Sequence, residues 1–152
     1  MATTTTEVPV PAEIIEPLEL LMFGAIGMTT LALSAASAGE LTISQWRVLV
    51  VLGRVDAARV GELAAAVGVS LPSTSRLVRR LERRGLVTTE RDTEDRRATL
   101  VRMTPEGRDI RDEVINRRRA MMEAAIAARA PRLPAGLAAG LTAIALAFDA
   151  YE

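Results

Sequence analysis

Cysteine, histidine and lysine are all absent from this 152-residue chain. The lack of cysteine removes disulfides, thiolate nucleophiles and thiolate metal ligands. The lack of histidine removes the imidazole base and the usual nitrogen ligands of zinc and copper. Without lysine there is neither Schiff-base chemistry nor the phosphate-binding lysine of a Walker loop. Catalysis would have to rest on carboxylates, hydroxyls or the single tyrosine, and no metal or cofactor is expected. The first residues also lack the basic start of a secretory signal, carrying Glu7, Glu13, Glu16 and Glu19 instead, so a cytoplasmic location is expected.

The charge that is present lies unevenly. Net charge is zero, with all nineteen basic residues being arginine. Residues 1–69 carry three arginines against seven acids, residues 70–102 nine against five, and residues 103–152 seven of each. Such a local concentration is the electrostatic footprint of a small surface facing nucleic acid.

Residues 1–11, with four consecutive threonines and two prolines, read as a flexible tail. Residues 12–152 are expected to form one domain, the size at which roughly two-thirds of the unfolded surface can be buried. Leu20 to Gly39 is an uncharged run of twenty residues, long enough to cross a bilayer. It is diluted by Gly24, Gly27, Thr29, Thr30, Ser34, Ser37 and Gly39 and has no flanking arginine to orient it. A helix buried against a second subunit accounts for it better than a membrane span.

Periodicity predicts a first helix from about Ala12 to Ala38, ended by Gly39. Ser44 is the expected cap of a second helix running to about Arg54, and a third covers Val60 to Val67. Gly68-Val69-Ser70 turns the chain into a fourth helix from Leu71 to about Arg84, with Gly85 as its left-handed terminator. Leu86 to Arg91 and Ala98 to Met103 are β-prone and joined by a charged tip, hence a hairpin. Thr104-Pro105 opens a long helix to about Ala130, broken by Pro131 and Pro134 before a last helix from Ala135 to Ala150. The fold class is mainly α with a small β-hairpin.

Two helices joined by a glycine turn form a helix-turn-helix when a small residue on the first lets the second cross closely. Ala64 is that residue here, and Leu63, Val67, Val69, Leu77 and Val78 are the shared core. At 100° per residue, Leu71, Thr74, Leu77, Val78 and Leu81 share one face of the fourth helix, while Pro72, Arg76, Arg79, Arg80 and Arg83 share the other. Solvated charged faces usually alternate in sign, and here Glu82 is the one acid, so contact with DNA is the better account.

Glu62-Leu63-Ala64 through Gly68-Val69-Ser70, followed by Ser75-Arg76-Leu77-Val78-Arg79-Arg80-Leu81-Glu82-Arg83-Arg84-Gly85, resembles the DNA-binding lobe of the MarR family. Arg91 to Arg97 is similar to that family's wing, Leu100 to Arg108 to the strand and helix start after it, and Leu41 to Leu49 to its second helix. The resemblance implies a winged helix-turn-helix lobe at 41–104 and a homodimer held by 12–40 and 105–152. It further implies regulation, most simply repression, at pseudo-palindromic operators. The implied DNA-facing residues are Ser70, Pro72, Ser73, Ser75, Arg76, Arg79, Arg80 and Arg83, with Asp95, Arg96 and Arg97 at the wing tip. Asp95 is expected to pair with Arg97 and aim its guanidinium. Leu71-Pro72-Ser73 departs from the small hydroxyl residues often found there, so base preference cannot be copied.

A small aromatic or apolar effector is expected in a cleft lined by Met22, Phe23, Trp46, Arg47 and Met121. Two other classes compete. A winged-helix module binding protein alone would favour an arginine-poor recognition face. An enzyme could use the carboxylates of Asp92 and Asp95, but both fall in an expected exposed tip where nothing would raise a pKa.

Overall fold

The computed structural model describes residues 11–36, 41–93, 95–129 and 132–149. Helix α1 (Ala12–Ala35) is followed by α2 (Ile43–Leu52), the short strand β1 (Ala58–Arg59), α3 (Val60–Val67) and α4 (Leu71–Arg83). Strands β2 (Val87–Arg91) and β3 (Thr99–Met103) come next, then α5 (Pro105–Arg129) and α6 (Leu137–Asp149). The tail expected at 1–11 lies outside the described residues except for Pro11, as do Gly39 and Pro131.

Two boundaries differ from expectation for local reasons. Helix α1 stops at Ala35 because Ala36 is already extended (φ −76°, ψ 151°). The cap of α2 is Thr42 and not Ser44: the Thr42 hydroxyl accepts from the Gln45 N–H at 3.2 Å while the Gln45 side chain accepts from the Thr42 N–H at 3.0 Å. That reciprocal capping box needs glutamine three residues on, which Ser44 lacks.

The sheet has three strands and not two. β3 lies between β1 and β2, antiparallel to both, with Ala58 opposite Val101 and Thr89 also opposite Val101 on the other side. β1 ties the start of α3 to the hairpin. Leu49, Leu63, Leu81, Val48, Val67, Val87, Val101 and Val114 are fully buried where α2, α3, α4, the sheet and the first half of α5 meet. Each contributes about 1.5–3 kcal/mol over an exposed position, and the same cluster takes in Ala32 and Leu33 of α1.

The turn between α3 and α4 is a left-handed Gly68 (φ 69°), whose N–H and that of Val69 both return to the Ala64 carbonyl. α5 starts close against the lobe. The Thr104 hydroxyl donates to the Gly85 carbonyl at 2.7 Å and accepts from the Gly107 N–H at 3.0 Å, and the Thr104 N–H donates to the Leu86 carbonyl.

The remaining helices bury much less. α1 packs on α5 and α2 but buries only Thr29, Ala32 and Leu33, leaving Leu20, Leu21, Met22, Phe23 and Ile26 exposed. Among the described residues it is the one helix long and apolar enough to cross a membrane by length and composition. On α6, every side chain described is exposed apart from the half-buried Ile144, although Leu137, Leu141, Leu146 and Phe148 are large apolar groups.

Candidate nucleic-acid interface

α4 presents its buried side, Thr74, Val78 and Leu81, to α2 and α3. Pro72, Arg76, Arg79, Arg80 and Arg83 are exposed on the opposite side, as the helical spacing predicts. Leu71 is the exception: placed with the apolar face by sequence, it is 54% exposed. It lies in the first turn, about 60° around the axis from Thr74, beyond the reach of the elements that cover the rest.

The arginine face is organised by neighbours on its own helix. Arg76 Nη2 donates to Ser73 Oγ at 2.9 Å, and Ser70 Oγ donates to the same oxygen at 3.0 Å. Ser73 therefore holds one edge of the Arg76 guanidinium toward the start of the helix. Ser75 donates to the Leu71 carbonyl at 3.0 Å, the back-bonding common for serine inside a helix. Arg76, Arg79, Arg80 and Arg83 line one shallow groove with Glu82; a second depression shares Arg80 and Arg83 with Thr42, Gln45 and Arg84.

Glu82 accepts a hydrogen bond from the Thr89 hydroxyl on β2. The one acid of α4 is thereby used to tie helix to wing.

At the wing the outcome is mixed. Arg96 and Arg97 are exposed in the turn between β2 and β3. Asp95 Oδ1 accepts from the Arg97 backbone N–H at 3.0 Å, and its carbonyl accepts from the Ala98 N–H at 2.8 Å. It shapes the turn through the main chain and is not the expected partner of the Arg97 guanidinium. Asp92 is also corrected. It is buried, at 7% exposure, with Oδ2 2.6 Å from Arg59 Nε at the start of α3. A buried carboxylate held by arginine anchors the base of the hairpin, and it shares no solvent-exposed site with Asp95. Arg102 and Glu90 pair across the strands at 2.9 Å.

A cleft of about 420 Å³ lies between α1, α2 and α5. Trp46 and Arg47 line it as expected, whereas Met22 and Phe23 are exposed elsewhere on α1 and Met121 packs against the core. The sequence reading missed Arg118, whose guanidinium carbon sits 5.4 Å from the centroid of the Trp46 ring. Trp46 Nε1 and Arg118 Nε are both buried and meet no acceptor among the described residues.

Comparison with known proteins agrees with this geometry. The family model described as "MarR family" matches residues 40–98, from the cap of α2 through the wing. The transcriptional activatory protein BadR of Rhodopseudomonas palustris is 42% identical over 79 residues, which is 50% of this chain and 45% of BadR. Residues 40–98 are similar to the MarR family. The chain's whole architecture matches the crystal structure of RV1404 from Mycobacterium tuberculosis, with a TM-score of 0.80 at 26% identity over 93% of this chain and 97% of that one. Streptococcus pneumoniae FabT, solved in complex with DNA, shares the fold with a TM-score of 0.71 at 21% identity, over 92% of this chain and 98% of that one. The matched stretches span less than half of the curated relatives' length, and those relatives are transcriptional regulators, not enzymes. The MarR-type lobe is thus the part of the chain with the strongest sequence support.

Proposed function

We propose that this protein is a homodimeric regulator of transcription that binds double-stranded DNA sequence-specifically. On this reading 12–40 and 105–152 form the dimer and 41–104 reads DNA. The observation that carries the proposal is the outer face of α4. Arg76, Arg79, Arg80 and Arg83 are exposed together, Ser73 orients one of them, and the only acid is taken up by the wing. A helix of this kind enters the major groove, with arginine paired to the O6 and N7 edge of guanine or to phosphate. FabT's structure with DNA supports the same use of the shared fold.

Two lobes related by a twofold axis would read half-sites about 34–36 Å apart, with Arg96 and Arg97 over the flanking minor grooves, where narrow segments concentrate negative potential. Repression follows where such a site overlaps a promoter. BadR carries an activator's name, and a site upstream of the promoter would serve that role.

Selection of bound duplexes from random DNA is expected to enrich a pseudo-palindrome. On that sequence Arg76→Ala or Arg80→Ala should weaken binding by about 1–3 kcal/mol, and by less on random DNA. Arg97→Ala should reduce the slope of log affinity against log salt by about 1. If no sequence is enriched, the alternative of a protein-interaction module replaces this reading.

We also propose that the cleft between α1, α2 and α5 takes an effector that is an aromatic or apolar anion. Its lining joins apolar surface from Ile26, Trp46, Val50 and Ile115 to the cationic side chains of Arg47 and Arg118. An anionic group on the ligand meets the arginines through charge-assisted hydrogen bonds, while its aromatic or apolar body covers the rest. Trp46 is the single tryptophan, so its fluorescence reports occupancy. Titration with simple aromatic carboxylates should quench it in the native protein and not in Arg118→Ala; no response from any of them counts against the assignment.

A further inference from the structure

Building on the proposal that α4 reads the major groove, we infer that Leu71 is a specificity-determining residue that recognises the 5-methyl group of a thymine in each half-site. Three observations lead there. Leu71 is the first residue of α4, and the N-terminal residues of a recognition helix are the ones that meet base edges. Its side chain is 54% exposed, beside the exposed Ser70 and Pro72, in a helix whose other exposed side chains are arginine and glutamate. Neither Leu71 nor Pro72 has a side-chain donor or acceptor, and Pro72 lacks even the backbone N–H.

The entering end of the helix therefore cannot read a base by hydrogen bonding through these two residues. The major-groove edges of the four base pairs display one apolar group, the methyl of thymine. A leucine there gains by covering that methyl and loses by covering a cytosine amino group, whose hydrogen bond to water it would displace. Arg76 lies five residues further along and is aimed by Ser73. The helix thus pairs an apolar reader at its start with a charged one in its second turn.

The test starts from the duplex selected by the full-length protein. Each thymine of a half-site is replaced in turn by deoxyuridine, which deletes the methyl and nothing else. At one position per half-site the wild-type protein should lose about fourfold in affinity, the worth of roughly one buried methyl. Leu71→Ala should bind the thymine duplex that much more weakly and be indifferent to uridine at the same position, with helix content by circular dichroism unchanged. Replacing that pair by a 5-methylcytosine pair should cost the wild type less than replacing it by cytosine. Tight wild-type binding that ignores uridine everywhere overturns the role of Leu71 while leaving the DNA-reading proposal intact, as does a Leu71→Ala protein that keeps full sensitivity. Failure to enrich any sequence overturns both.

Discussion

Gly107→Ala is expected to destabilise the protein by about 2–3 kcal/mol, as overpacking a close contact does. A Cβ at Gly107 would lie 2.1 Å from the Leu86 carbonyl oxygen and 2.9 Å from Met103 Cγ. The methionine can move, but the carbonyl cannot. Leu86 is held at both of its polar groups, its N–H donating to the Leu81 carbonyl and its oxygen accepting from the Thr104 N–H. The first turn of α5 would have to retreat, breaking the Thr104 bonds that seat it on the lobe. Gly61, also helical but with nothing within 4 Å of its Cβ position, is the control. Gly61→Ala should be neutral or stabilising by up to about 1 kcal/mol. Urea unfolding followed by circular dichroism measures both, and equal midpoints for the two variants would falsify the close-packing account.

The largest functional effect is expected from a charge placed in the groove between α1 and α5. Leu20, Leu21, Met122 and Ile126 line an open apolar groove of about 600 Å³ there, and each lies outside the lobe core. On the dimeric, DNA-reading proposal above, Ile126→Arg should leave the lobe folded, turn that dimer into a monomer, and weaken binding to a two-half-site duplex by about 100-fold or more, because linked lobes gain that much from effective concentration. Binding to a single half-site should change little. A dimer that survives Ile126→Arg together with Leu21→Arg shows that the subunits meet elsewhere.

Much of the lobe was legible because its punctuation is stereochemical. Gly68 and Gly85 sit at positive φ (69° and 72°), where other residues are strained, so α3 was bounded at the residues observed and α4 to within one. The arginine face followed from helical spacing alone. Reciprocal and tertiary partners were harder to see. The Thr42 cap depends on Gln45, and β1 is two residues long, too short to show a period. The burial of Asp92 depends on Arg59, thirty-three residues away, and its neighbours in the chain are charged like an ordinary exposed turn. Arg118 is one of three consecutive arginines on a long helix, and only the packing of α5 across Trp46 singles it out. Leu71 was misassigned because a helical wheel gives angles and says nothing about where the covering elements end.

The ties among α3, α4 and the wing bear on how a signal could reach DNA. Glu82 is bonded to Thr89, Asp92 to Arg59, and β1 to β3, so recognition helix and wing are fastened to each other from two sides. On the reading proposed above, a lobe braced in this way would carry helix and wing together, and an effector would gain little by bending the hairpin away from the groove. In the dimer proposed above, what remains adjustable is the span between the two lobes, and the protein works as a calliper whose jaws are fixed and whose opening is set at the hinge. Its operator is then measured as well as read. Adding one base pair between the half-sites lengthens the span by about 3.4 Å and turns one half-site away from its lobe, leaving every contacted base in place and the fit lost.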